Sequence, residues 1–141
     1  MGTLIDADAL VRAEAGSVRL GDLLGASEPV AITAPTAAEL LETVERTSDP
    51  ALAAHRASFV ERLLDRVDVV PFDGPAARMR ARLDAARPHG ADGRALDVAA
   101  IAISRGWAIV TGNGRYDRIP GLAVRKIDVG TGDGTSVGTT A

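Results

Sequence analysis

The apolar positions fall into short solid runs, each followed by a stretch of different spacing. Thr3-Leu4-Ile5, Val30-Ala31-Ile32 and Ala108–Val110 are the solid runs; Val67–Val70 and Leu122–Ile127 are similar runs interrupted by Asp68 and by Arg125 and Lys126. Unbroken apolar runs of this length are expected of strands buried on both faces. Between them the spacing becomes helical. Ala9, Leu10 and Ala13 share a face after Asp8, and Leu20, Leu23 and Leu24 mark a further short turn. Ala37, Leu40, Leu41 and Val44 line a helix to about Arg46, and Phe59, Val60, Leu63 and Leu64 one to about Arg66. Thr33 with Pro35, and Asp49 with Pro50, each pair an N-cap with a first-turn proline. Asp73-Gly74-Pro75 starts a helix ending near Ala86, and the loop at 88–93 precedes one that Gly106 stops after Arg105. Strands separated by helices predict an α/β domain with a central parallel sheet flanked by helices. Right-handed crossovers then gather the strand C-termini on one edge. The expected domain covers 1–129, and the Gly-, Thr- and Ser-rich stretch 130–141 is expected to be a flexible tail.

Composition narrows the chemistry. At 141 residues and 46% hydrophobic content the chain is the size and make-up of one globular domain. It has no Cys, and His55 and His89 are its only histidines, which excludes disulfides, thiolate or His-rich metal sites and Cys nucleophiles. A net charge of −3 provides no global field for nucleic acid, so such a partner would need a local patch. No apolar run reaches bilayer-spanning length and no basic stretch leads into an apolar one at the start, so the chain is expected to be cytoplasmic, with no membrane partner.

The candidate chemistry lies where strands end. Asp6 closes the first apolar run, and the C-terminal edge of an open α/β sheet is where ligands bind. Glu39 sits early in the helix after the second run, on the flank opposite Leu40, Leu41 and Val44; Asp97 sits early in the helix before Gly106; Asn113 follows the fourth run. Each has a plainer reading alone: a helix-end acid for Asp6 and Asp8, a solvated residue for Glu39 and Asp97, a turn residue for Asn113. Together they form an oxygen-rich cluster. Clustered carboxylates repel unless a proton or cation joins them, and oxygen-only donors select hard cations, Mg2+ or Mn2+. Arg78, Arg80, Arg82 and Arg87 form a second charged group, read as a solvated helix face or as phosphate contacts.

In these stretches the chain resembles a PIN-domain ribonuclease, in particular the VapC-type toxin of a VapB–VapC toxin–antitoxin pair. The matching segments are 4–11, 31–41 and 97–113, and the ending Tyr116-Asp117-Arg118-Ile119-Pro120-Gly121-Leu122-Ala123-Val124 is similar as well. The resemblance implies a three-layer PIN-like fold and metal-dependent endonucleolytic cleavage of RNA by metal-activated water. Asp6, Glu39 and Asp97 would be the core acids, Asn113 would take the fourth metal position, and the Thr111 hydroxyl would orient the edge. It also implies a VapB-like antitoxin and a homodimer. Arg115 and Arg118 flank the site as candidate RNA contacts.

The chain departs from the pattern in three places. Asp8 stands where Asn or Ser is common, and Asn113 where Asp is frequent. Counted back from Gly106, the third acid position falls on Ala95. Two residues on a helix turn a side chain by about 200°. The local run Ala95-Leu96-Asp97-Val98 favours Asp97, with Asp92 in reserve and Asp117 able to compensate near the fourth position. The competing expectation is a PIN-like binding or regulatory domain without catalysis. A Rossmann-type nucleotide site is excluded, because no glycine follows Ile5 until Gly16.

Overall fold

The structure, a computed structural model, describes residues 1–25, 27–86, 88–128 and 136–140. Its strands are β1 (Thr3–Ile5), β2 (Val30–Thr33), β3 (Asp68–Val70), β4 (Ala108–Thr111), β5 (Val124–Asp128) and β6 (Ser136–Thr140). Its helices are α1 (Ala7–Glu14), α2 (Leu20–Leu24), α3 (Ala34–Arg46), α4 (Pro50–Arg66), α5 (Gly74–Ala86) and α6 (Gly93–Arg105). The strands form one sheet in the order β3-β2-β1-β4-β5-β6, with the first five parallel.

Strand alternation divides the core. Leu4, Ile109 and Val124 point to one face, where α5 and α6 supply Leu83, Val98 and Ile101. Ile5, Val110 and Ile127 point to the other, with Leu10 of α1, Leu40 of α3 and Val60 and Leu63 of α4. Because successive side chains on a strand face opposite ways, solid apolar runs fill both layers at once. The result is the expected three-layer arrangement.

The helix ends follow the sequence signals. The Thr33 hydroxyl accepts from the Thr36 amide, and the Asp49 carboxylate from the Leu52 amide. Gly106 ends α6 at φ 70°, the left-handed conformation that favours glycine. One expectation is corrected. Ser136–Thr140, assigned to a tail, runs antiparallel to β5, pairing Val124 with Thr140 and Asp128 with Ser136. Val137, Thr139 and Thr140 are β-prone residues beside an otherwise open strand edge. The rest of the expected tail, 129–135 and 141, and Arg87 of the arginine group lie outside the described residues.

Candidate functional site

Asp6 is fixed by its neighbours on both sides. Ile5 pairs with Val110 on β4, and the Asp6 amide donates to the Val110 carbonyl at 2.9 Å. The residue stands at the N-cap of α1, yet its side chain makes no cap bond. The carboxylate instead turns into the protein, where it is fully buried. Such a group is costly to bury unless its lone pairs are filled. Here Oδ2 accepts from the Thr111 hydroxyl at 2.9 Å, while Oδ1 accepts from Tyr116 Oη at 2.7 Å and Arg115 Nη2 at 3.2 Å.

Arg115 is the hub of the site. Nη2 also approaches Glu39 Oε2, and Nη1 approaches Asp92 Oδ2, both at 3.5 Å. One guanidinium thus meets carboxylates from the end of β1, from α3 and from the N-cap of α6. It lies 5.1 Å from the centre of the Tyr116 ring, within cation–π range, and Nη2 contacts Tyr116 Oη at 3.2 Å. Its Nε is buried without a hydrogen-bond partner among the described residues. Burial opposes the charge of Arg115, but Tyr116, Asp6 and Glu39 outweigh that and raise its pKa. Burial and the Asp6 charge push the Tyr116 phenol well above its ordinary value.

The neighbouring loop is held by similar contacts. Asp8 Oδ2 accepts from the Gly112 amide at 3.0 Å and from Arg12 Nε at 2.9 Å. A side chain on residue 112 would place its Cβ 2.6 Å from that oxygen, so the Asp8 and Arg12 side chains would have to shift. The Asn113 amide donates to Thr111 Oγ1 at 3.0 Å, and its Oδ1 accepts from the Arg115 amide at 2.9 Å. Asn113 thereby shapes the short 3-10 turn Gly114–Tyr116 that aims Arg115 inward. Asp117 pairs with Lys126 at 2.6 Å, and the same ammonium donates to the Asn113 carbonyl at 2.7 Å. Arg118 is exposed on the turn.

The structure places the two candidates for the third acid, Asp97 and Asp92, on different sides of α6. Asp97 lies on the flank of α6 that faces α5, where Oδ1 accepts from Arg80 Nε at 2.7 Å. Arg80 also reaches Asp84 at 3.3 Å, so it belongs to this helix pair. Ala95, the position counted back from Gly106, is completely buried and carries no donor. Asp92 is the acid that meets Glu39 and Asp6 through Arg115, and its Oδ1 caps α6 by accepting from the Ala95 amide at 2.7 Å. Arg94 forms a two-pronged bridge to Glu42, both bonds 2.9 Å, which ties this end of α6 to α3. That bridge lowers the Glu42 carboxyl below its ordinary value.

Sequence reading passed over two contributors, Tyr116 and the Arg94–Glu42 bridge. Tyr116 opens the family-like ending and is the chain's sole tyrosine, but neither signal gives it a role at the site. The bridge joins residues 52 apart and left no local signal.

A cleft of about 340 Å³ opens beside this cluster, lined by Asp8, Glu39, Arg46, Arg94, Asn113 and Arg115 among others. A narrower apolar groove lies between α1, α3 and α4, against Leu10, Val11, Leu40, Phe59 and Val60.

The PIN domain family model matches residues 3–122. The chain belongs to the PIN domain family. Solved structures carry the same fold. The chain is similar to one in the VapBC2 complex of Rickettsia felis bound to a promoter DNA fragment, at 20% identity and a TM-score of 0.78, covering 89% of this chain and 98% of that one. It is similar to one in the DNA-bound VapBC of Salmonella typhimurium, at 23% identity and 0.76, with the same coverages. A member of the VapBC family from Mycobacterium tuberculosis, VapBC-5, matches at 25% identity and 0.70, over 87% of this chain and 96% of that one. No curated protein sequence matches significantly.

PIN nucleases generally use divalent metals, so the donor set was compared with such an ion. As arranged, it fits a planar guanidinium. The three carboxylates reach two different guanidinium nitrogens, and both Asp6 oxygens already accept hydrogen bonds. Among the described residues no three His, Cys, Asp or Glu side chains converge closely enough to hold a metal ion. Asp97 and Asp117 are engaged elsewhere, and the Asn113 side-chain oxygen serves its own turn.

Proposed function

We propose that this PIN domain is the nuclease-type subunit of a toxin–antitoxin pair, and that RNA lies across the edge carrying Asp6, Glu39 and Asp92. The observation behind this reading is the convergence of three carboxylates on one cation beside an open cleft. The family membership and the likeness to VapBC chains support it. The exposed Arg118, with Arg46 along the cleft, offers positive charge to phosphates, the sequence-independent part of nucleic-acid affinity. Arg115 is turned inward onto carboxylates, so Arg118 is the better candidate of the two for RNA contact. Val11 and Leu41 are exposed apolar side chains on α1 and α3. Val11 lines the groove that a VapB-like antitoxin would cover in this reading. A homodimer and a cytoplasmic location belong to the same proposal; among the described residues no helix is long and apolar enough to cross a membrane.

Cleavage by an Mg2+- or Mn2+-activated water is the specific chemistry expected from the resemblance. The side chains as arranged do not fit such an ion. A second reading follows from the same geometry: a subunit that binds RNA and antitoxin without cutting.

The test is incubation of antitoxin-free protein with total cellular RNA, with Mn2+ or Mg2+, with chelator, and as Glu39→Gln. Discrete cleavage that is lost in Glu39→Gln is the outcome expected of the nuclease, and the chelator arm shows whether it needs a metal. Retained RNA binding with no cleavage, from protein that elutes and melts as a folded species, favours the second reading. Neither binding nor cleavage overturns both.

A further inference from the structure

We propose that Arg115 is a built-in cation that takes the place of a metal ion at this edge, so that the folded domain does not bind Mg2+ or Mn2+ there. Asp6, Glu39 and Asp92 come from separate elements and would repel one another without a positive group between them. The guanidinium supplies that charge from within the chain, with Nη2 on Asp6 and Glu39 and Nη1 on Asp92.

Three further contacts show that the placement is built into the loop. The Asn113 side chain accepts from the Arg115 amide and fixes the turn that aims the side chain inward. Lys126 holds the same loop by donating to the Asn113 carbonyl. The Tyr116 ring and hydroxyl flank the guanidinium, and that hydroxyl also donates to Asp6. A divalent ion entering between Asp6 and Glu39 would meet a like charge already bonded to both. The absence of an acid at Ala95 and the outward placement of Asp97 remove the donors that would favour the exchange.

Calorimetric titration with Mn2+ tests the idea directly. Wild-type protein is expected to show no Mn2+ binding at millimolar concentration and no chelator-sensitive change in melting temperature. Arg115→Gln opens the position, and Mn2+ affinity is expected to rise at least tenfold, with a metal-dependent gain in melting temperature. Adding Glu39→Gln to that variant should abolish the gain. Mn2+ binding by the wild type that Glu39→Gln removes would overturn the proposal, and so would Arg115→Gln that folds and gains no affinity. Should Arg115→Gln not fold, Arg115→Lys keeps a cation in place and must, like the wild type, exclude Mn2+; Glu39-dependent binding by either would refute the idea. Metal binding is the readout, so failure of the RNA reading leaves this inference standing, whereas Mn2+-dependent cleavage by the wild type that Glu39→Gln abolishes would overturn it.

Discussion

Two arginines in this domain each gather carboxylates, and they do so in opposite surroundings. Arg115 meets Asp6, Glu39 and Asp92, and the Asp6 side chain has no exposure at all. Arg80 meets Asp97 and Asp84, whose side chains are 41% and 73% exposed. The shortest bond belongs to the exposed group, 2.7 Å from Arg80 to Asp97 against 3.2 Å from Arg115 to Asp6. Distance therefore does not rank them. An exposed pair exchanges one solvated state for another and stabilises by about 0–1 kcal/mol. A buried carboxylate has lost its water, so its partners are needed to offset desolvation, and removing one side leaves the other uncompensated.

The strongest way to break this contrast is Asp6→Ala. It takes from Arg115 its one fully buried carboxylate, leaving Glu39 and Asp92, and removes the acceptor of the Thr111 and Tyr116 hydroxyls. The expected loss is about 3–5 kcal/mol, read from urea unfolding followed by the fluorescence of Trp107, the chain's only tryptophan. A loss below about 1 kcal/mol, the range of exposed pairs, would mean that water reaches Asp6 and that the two arginine groups are alike.

Tyr116 sharpens the comparison from the other side. Burial first, and the Asp6 charge second, raise its phenol above the reference value of 10.0. The sign follows. Below about pH 10 the phenol keeps its proton folded or unfolded, and its contribution is fully present. Above that value the unfolded chain ionises while the native phenol does not, so this contribution falls as pH rises, by about 1.4 kcal/mol per pH unit, until the native phenol itself ionises. As the only tyrosine, Tyr116 can be followed through its phenolate absorbance, which should appear with unfolding rather than before it. Tyr116→Phe should lessen the alkaline loss, and at neutral pH it removes the bond to Asp6 at an expected cost of about 1–3 kcal/mol. Phenolate absorbance in the folded protein near pH 10 would contradict this burial.

The scaffold was readable from local signals because it is built on local physics. Thr33 with Pro35, Asp49 with Pro50, and Gly106 each set a helix boundary from neighbouring atoms. Asp6 is legible by the same logic, at the end of an apolar run. The choice between Asp97 and Asp92 is not, because local similarity around Asp97 competes with helical phase. Counting from Gly106 pointed to Ala95, and the phase argument describes where α6 turns its faces: Ala95 into the core and Asp97 toward α5. Asp92, outside that phase as the N-cap, is the carboxylate that faces Arg115. Asn113 sets the local turn, but the carboxylate that Arg115 meets lies 109 positions away and leaves no local signal. Strand β6 was missed because its Gly- and Thr-rich surroundings read as a tail, while the open edge of β5 that it covers is visible only in the fold.

Asp97→Ala gives the smallest expected effect and the sharpest control. The variant removes a close bond between groups that solvent still reaches, so stability should change by less than about 1 kcal/mol, and less again at high salt. RNA binding or cleavage should match the wild type, because Asp97 faces α5 rather than the cleft beside Asp6. A large loss of activity with intact stability would place Asp97 back among the working acids. That result would require α6 to turn by about 200°, a two-residue shift, which would drive Ala95, Leu96 and Val98 out of the core. The packing of α6 is therefore what this single exposed carboxylate tests.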